Sequence, residues 1–320
     1  MEDKNSSLGL IEQPETETQN LSLQMRFGSD ESHCVVREDT GEISLEIAAP
    51  VLVGAGRELL GSSSGGTIRT VGSWNMLDSG EGPVWGAAVV PFSSEDRSAQ
   101  VRAVYLDMLR MLKGSQIYRI WNFVPGINAR EEDLENYRAF NIGRWQAFEE
   151  SGYLELNDRQ HPAASAVGIE GKNLAIAFCA GGEDSVAFEN PFQVPAWKYP
   201  KEYGPKSPCF VRGAVVENHT VYLSGTASIL GHESTDQSDL DGQFDTTMEN
   251  VDRMLEEMGT DRKNESAQFR IYLRNQEDFP TVHQRWKNEV SSDVFDRTCF
   301  LQADICRKEL IIEIEAILSI

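Results

Sequence analysis

Positive charge is what this sequence has least of for its length. Its 320 residues carry 29 Lys and Arg against 51 Asp and Glu, a formal net charge of −22. No run of basic residues interrupts that deficit, so nothing is built to displace counterions from phosphates, which excludes a nucleic-acid partner. The same deficit argues against docking on an anionic membrane. Any anionic metabolite would have to be met by a few cations gathered locally. Cysteine is also sparse. Cys34, Cys179, Cys209, Cys299 and Cys306 are widely scattered, with no CxxC and no His at zinc-ligand spacing. That pattern excludes a zinc site and fits reduced thiols in a cytoplasm. The first 20 residues, "MEDKNSSLGLIEQPETETQN", lack an apolar core, so neither a signal peptide nor a membrane span is expected there. Acidic and polar residues predict a flexible tail over 1–40, its first 20 residues above all. No Ser/His/Asp order, phosphate loop or metal cluster stands out, and no cofactor or metal is expected.

What is present is an ordinary globular composition, 40% hydrophobic and 25% charged, in a chain long enough for a full core. Strands are predicted at 43–53, 83–91, 117–124, 173–179, 209–216, 220–228, 268–273, 298–305 and 309–318. Helical spacing marks "SAQVRAVYLDMLRMLKG" (98–114) and "DGQFDTTMENVDRMLEEMG" (241–259), with shorter helices at 133–150 and 278–290. The two halves rhyme. In each, a long helix leads to "YRIW" or "FRIYL", then a short helix, then a closing strand, "KNLAIAFCAG" (172–181) or "KELIIEIEAI" (308–317). This predicts an α+β protein of two duplicated units, each a mixed sheet with helices packed on one face. The units span 41–182 and 209–320, joined by a turn-rich segment at 183–208.

The closing strand of the second unit raises a question. "RKELIIEIEA" (307–316) is apolar through Leu310, Ile311 and Ile312, yet Glu313 and Glu315 share one face by alternation. That face is either solvent or a site. In the first unit the matching positions are Ala177 and Cys179, so the fold itself does not need carboxylates there.

The segments "VYLSGTASI", "QFDTTMENVDRMLEEMG", "FRIYLRNQEDFPTVHQRW" and "RTCFLQADICRKELIIEIEAI" resemble the RidA/YjgF family. The resemblance implies that Arg297 stands where many members grip a substrate carboxylate, and Glu313 where a Glu handles a proton or water. Across residues 40–320 the chain resembles something narrower. "YRIWNFVPGIN", "ENYRAFNIGRWQAF", "HPAASAVGIEG", "YPKEYGPKSPCFVRGAVV", "SGTASILGHES" and "LQADICRKELIIEIEA" are similar to the chorismatases, duplicated RidA-like enzymes that cut the enolpyruvyl ether of chorismate.

That resemblance implies a site with a proton donor and cations for a dianion. Glu313 is the candidate acid, its proton affinity raised by burial, and Glu315 either raises it further or faces solvent. Cys306, seven residues upstream, stands at a position tied to product choice. A Cys there goes with capture by the ring hydroxyl and 3-hydroxybenzoate, whereas the other branches use water to give a dihydroxycyclohexadiene carboxylate, or give 4-hydroxybenzoate. Gly225 and Ala227 are both candidates for a second selectivity position. Arg212, alone among apolar neighbours, and Arg297 are candidate carboxylate ligands, with Tyr203 in support and Lys206 in the basic cluster with Lys198 and Lys201. Asn122 and Asn128 read as turn and capping residues, Arg144 as the partner of an acid, His232 as a loop residue. The alternatives are a RidA-like enamine or imine deaminase and a non-catalytic metabolite-binding protein. The chain is expected as a monomer or homotrimer.

Overall fold

The structure is a computed structural model and describes residues 20–80, 82–93, 96–131, 133–155, 161–217, 219–236 and 239–320. Two sheets carry the duplicated plan. The first runs, edge to edge, Ala163–Ile169, Gln116–Pro125, Asn173–Gly181, Val84–Pro91, Trp74–Asp78 and Thr67–Val71. The second runs Ser185–Phe188, Gly213–Val216, Thr220–Ala227, Ile312–Ser319, Gln268–Leu273, Cys299–Gln302 and Val51–Val53. In both, the Gln116–Pro125 or Gln268–Leu273 strand has a parallel neighbour on one side and the closing strand, antiparallel, on the other. The register bears out the internal match. Ala177 pairs with Trp121 and Cys179 with Arg119, as Glu313 pairs with Tyr272 and Glu315 with Arg270.

Helices cover the outer face of each sheet, Arg97–Met111 and Asn136–Ser151 on the first, Leu240–Glu257 and Phe279–Glu289 on the second. Their apolar stripes bury against alternate strand residues, such as Ile120, Leu174 and Ile176 in the first layer and Ile271, Ile312 and Ile314 in the second. The other strand faces meet each other in a third core, where Trp121 packs edge-on to Tyr222 at 6.4 Å. Alternation therefore turns Glu313 and Glu315 inward between the two sheets, away from solvent.

Three expectations need correction. Residues 1–19 lie outside the described residues, but the tail expected over 20–40 is structured. Asn20–Phe27, His33–Arg37, Glu42–Ile47 and Arg57–Ser64 form a four-stranded sheet. The reason is a period-two pattern hidden by polar composition: Leu21, Leu23 and Met25 are buried in the shared core. The strand expected over 43–53 is two strands in different sheets, since Pro50 interrupts it and Val51–Val53 pairs with Cys299–Gln302. The segment 183–208 is more than a connection, because Ser185–Phe188 adds an edge strand to the second sheet.

Candidate active site

Where the two sheets face each other, a cavity of about 660 Å³ opens between the units and the 199–208 loop. Glu313, Cys306, Arg212, Tyr203, Gly225 and Ala227 all line it. Two expected site residues do not. Arg297 ends the short helix Ser292–Arg297, is exposed, and donates to the carbonyl of Glu265. It caps a loop on the outer side of the sheet. Lys206 sits beside the cavity but turns away, its ammonium 4.9 Å from the ring centre of Trp145, where the aromatic face holds it.

Glu313 is 3% exposed and its Oε1 has no hydrogen-bond partner. Its register partners are Ala227 and Tyr272. Gly225 makes the space it occupies: a Cβ at that position would overlap Glu313 Oε1. Burial pushes the Glu313 carboxyl up to about 8, helped by the charge of Glu315 and opposed by Arg119 and Arg212. A carboxyl with that affinity holds its proton in neutral solution.

Glu315 has the opposite environment. Its Oε2 accepts from Arg119 Nη2 at 2.5 Å and from Ser165 Oγ. Its Oε1 accepts from the Tyr272 hydroxyl at 2.8 Å and from Arg270. Burial alone would raise this carboxyl, but Arg270 and Arg119 hold it below the usual carboxylate range. Two carboxyls two residues apart are thus driven to opposite protonation states, the arrangement that separates acid from fixed charge in a catalytic site.

Five arginines line the cavity, of which Arg138 pairs with Glu135 and Arg130 donates to the Asp133 carbonyl; the three that remain are Arg144, Arg212 and Arg307. Among the described residues none of them forms an ion pair with an acid. Arg212 Nη2 donates to the Tyr199 hydroxyl at 2.5 Å, and its Nε is unpartnered. Arg307 lies over the Tyr203 ring at 4.0 Å, donates to Ser234 Oγ at 3.0 Å, and leaves Nη2 unpartnered. Arg144 is 2% exposed, with Nε and Nη2 both unpartnered, stacked over Tyr105 and Phe148. Among the described residues Arg144 does not have the acid partner expected for it. Buried cations without counter-ions are costly unless an anionic ligand completes them.

Cys306 stands near Glu313, its thiol pushed up to about 12 by burial and by the Glu313 charge, so it remains a neutral thiol. Its carbonyl accepts from Asn128 Nδ2 at 3.4 Å. Asn128 lines the cavity, whereas Asn122 is buried behind it between Tyr105 and the Ser165 carbonyl. His232 is a turn residue whose Nδ1 lies 3.3 Å from the Tyr203 hydroxyl. Sequence reasoning missed Arg307, Ser165 and Arg119. Arg144 carried a usable signal, because helical spacing places it between Phe140 and Phe148 on the apolar stripe.

Comparison with known proteins agrees with this geometry. Residues 70–180 match the family described as "Chorismatase FkbO/Hyg5-like, N-terminal", and residues 205–320 match "Endoribonuclease L-PSP". A 3-hydroxybenzoate synthase of Streptomyces hygroscopicus is 35% identical over 238 residues, 68% of each chain. The chain belongs to the chorismatase family. A chorismatase of the same organism is 32% identical over 237 residues, covering 70% of this chain and 67% of its own. A crystal structure of a chorismatase aligns over 96% of both chains with TM-score 0.82 at 23% identity, so the chorismatase fold extends over nearly the whole chain. The L-PSP match falls on the unit that carries Glu313, in keeping with the RidA-like plan of both halves.

Proposed function

We propose that this protein cleaves the enolpyruvyl ether of chorismate to pyruvate and 3-hydroxybenzoate, with Glu313 as the general acid. The observation that carries the reading is a buried carboxyl, its Oε1 unpartnered, facing a cavity in which Arg144, Arg212 and Arg307 form no ion pair among the described residues. A dianionic substrate supplies the missing charges, and Arg212, supported by the hydroxyl of Tyr199, is the guanidinium that also acts electrostatically on Glu313. Glu313 delivers its proton to the methylene carbon, leaving positive charge on the ether carbon beside its oxygen. The ring hydroxyl then bonds to that carbon and its proton passes to the ether oxygen, whose bond to the same carbon breaks and leaves that oxygen on the ring as a hydroxyl. The ring C–O bond of the captured oxygen breaks next, and this oxygen leaves as the keto oxygen of pyruvate. Substrate and products contain the same atoms in sum, so no water is consumed. The proton taken up by the methylene carbon is balanced by one the ring gives up on becoming aromatic. The similarity to a 3-hydroxybenzoate synthase and the neutral Cys306 thiol support this branch over hydrolysis. Gly225 and Ala227 shape the wall beside Glu313, on the neighbouring strand of the same sheet. Both walls of the cavity come from one chain, so the reading needs no second subunit. Five free cysteines suit a cytoplasmic setting, and no helix among the described residues is long and apolar enough to cross a membrane.

The test is incubation with chorismate, with pyruvate and the ring product measured against standards. Pyruvate with 3-hydroxybenzoate is expected. Pyruvate with the dihydroxycyclohexadiene carboxylate or 4-hydroxybenzoate would overturn the branch and keep the enzyme class, and no pyruvate above the spontaneous rate would overturn the class. Glu313→Gln should lower kcat by about 10²–10⁴-fold, the usual worth of a general acid. The wild-type rate should fall as pH rises past about 8, where Glu313 gives up its proton. A flat profile through that region would remove Glu313 from the mechanism.

A further inference from the structure

The unit whose closing strand has no carboxylates still buries an arginine. In its own sheet Arg119 pairs in register with Cys179, which offers no charge. Arg119 instead crosses the core to Glu315 of the other unit and to Ser165 Oγ at 2.9 Å, with Nε and Nη1 unpartnered. Its counterpart by register, Arg270, reaches the other oxygen of Glu315 and also pairs with Glu58. Glu58 comes from the strand Arg57–Ser64 of the four-stranded sheet, which also lays Phe27 against the Arg270 guanidinium at 5.0 Å. Glu58 falls within the span expected for the first unit, but its strand belongs to the four-stranded sheet and to neither of the two repeated sheets.

The four groups form a ladder in the order Glu58, Arg270, Glu315, Arg119, with two charges of each sign. We propose that Glu58 is a positioning residue for Glu313: it brings the ladder to neutrality, leaving no surplus positive charge to favour a Glu313 carboxylate, so that Glu313 remains the proton-carrying acid of the site. The proposal rests on the reading of Glu313 as the acid. Without Glu58 the ladder carries one positive charge beside Glu313, and ionising Glu313 would neutralise it.

The groups around Glu313 are few. Glu315 shares its strand. Arg119 and Tyr272 face it from Gln116–Pro125 and Gln268–Leu273, Arg212 from the residue before Gly213–Val216, Tyr137 from Asn136–Ser151, and Cys306 from the preceding loop. Burial keeps Tyr137, Tyr272 and Cys306 neutral. Glu189 accepts only from the backbone N–H of Arg212, at 3.0 Å, and forms no ion pair with its guanidinium, which belongs to the cavity and not to the ladder. The ladder is therefore the charge balance that a distant substitution can upset without touching the cavity.

The experiment is an infrared titration of the carboxylic C=O band of Glu313, identified by its loss in Glu313→Gln, on wild type, Glu58→Gln and Arg119→Gln, alongside pyruvate release from chorismate across the same pH range. Glu58→Gln should lower the midpoint by about one pH unit, the scale of one charge a few residues away in a protein interior. Arg119→Gln, which removes a positive charge, should raise it. The alkaline limb of kcat should move with each. An unmoved midpoint in Glu58→Gln, or movement of both variants in one direction, overturns the proposal. Should Glu58→Gln fail to give a native circular dichroism spectrum, Arg119→Gln decides alone, and an unmoved or lowered midpoint overturns it. Midpoints that move as stated without pyruvate release would remove the functional reading and leave the ladder. Pyruvate release with static midpoints would do the reverse.

Discussion

Glu313 and Glu315 differ in no intrinsic property, and their roles are set by what lies within a few ångströms. Glu315 accepts from two arginines, a serine and a tyrosine, whereas Glu313 Oε1 accepts from nothing. The residue that permits this is Gly225, where a single methyl group would overlap the Glu313 carboxyl. Gly225→Ala should therefore displace the acid and lower kcat about 10–100-fold, the rate equivalent of ~1–3 kcal/mol of overpacking. Steady-state kinetics beside a melting curve would check it, and an unchanged kcat would mean the carboxyl does not need that space. The shared face of the two glutamates was legible in the alternation of "LIIEIEAI". Their opposite protonation states were not, because Arg119 lies 196 residues away in sequence.

At the scale of elements, the helix Asn136–Ser151 does two jobs on one stripe. Phe140 and Phe148 anchor it to the first sheet, and Arg144 between them points its guanidinium at the cavity. A buried arginine normally has an acid, which is why an acid was expected here. On the present reading its partner is the substrate. Arg144→Met should raise KM for chorismate about 10–100-fold, the worth of a charge-assisted hydrogen bond at ~1.5–3 kcal/mol, while leaving the fold as stable or more so, since an unpaired buried charge has been removed. A lower Tm with unchanged KM would mark Arg144 as structural. Arg297 shows the reverse error. Its neighbours in sequence match the RidA pattern, but the helix it ends lies on the outer side of the sheet, and no local signal reports that direction.

The whole molecule depends on a sheet that composition hides. Leu21, Leu23 and Met25 pack into the same core as Trp121, Ala177 and Tyr272, and Val51–Val53 closes the far edge of the second sheet. Burying three such side chains is worth about 5–8 kcal/mol in all, comparable to the total stability of a domain at ~5–15 kcal/mol. A chain beginning at residue 41 should therefore lose its cooperative thermal transition. Retention of a wild-type Tm would mean the duplicated units hold together without the third sheet. The same sheet supplies Glu58 to Arg270, so its loss would also reach the acid of the site.

The sequence by itself determined the duplicated plan and the shared face of Glu313 and Glu315. These follow from local periodicity and from the likeness of the halves, each of which is written within a few dozen residues. Only the tertiary structure decided which arginines meet the cavity, that Arg119 serves the other unit's carboxylate, and that residues 20–37 belong to the core. Charge pairing across a core depends on distance in space. Between units joined face to face, that distance is set by how two sheets pack, which no single stretch of chain encodes.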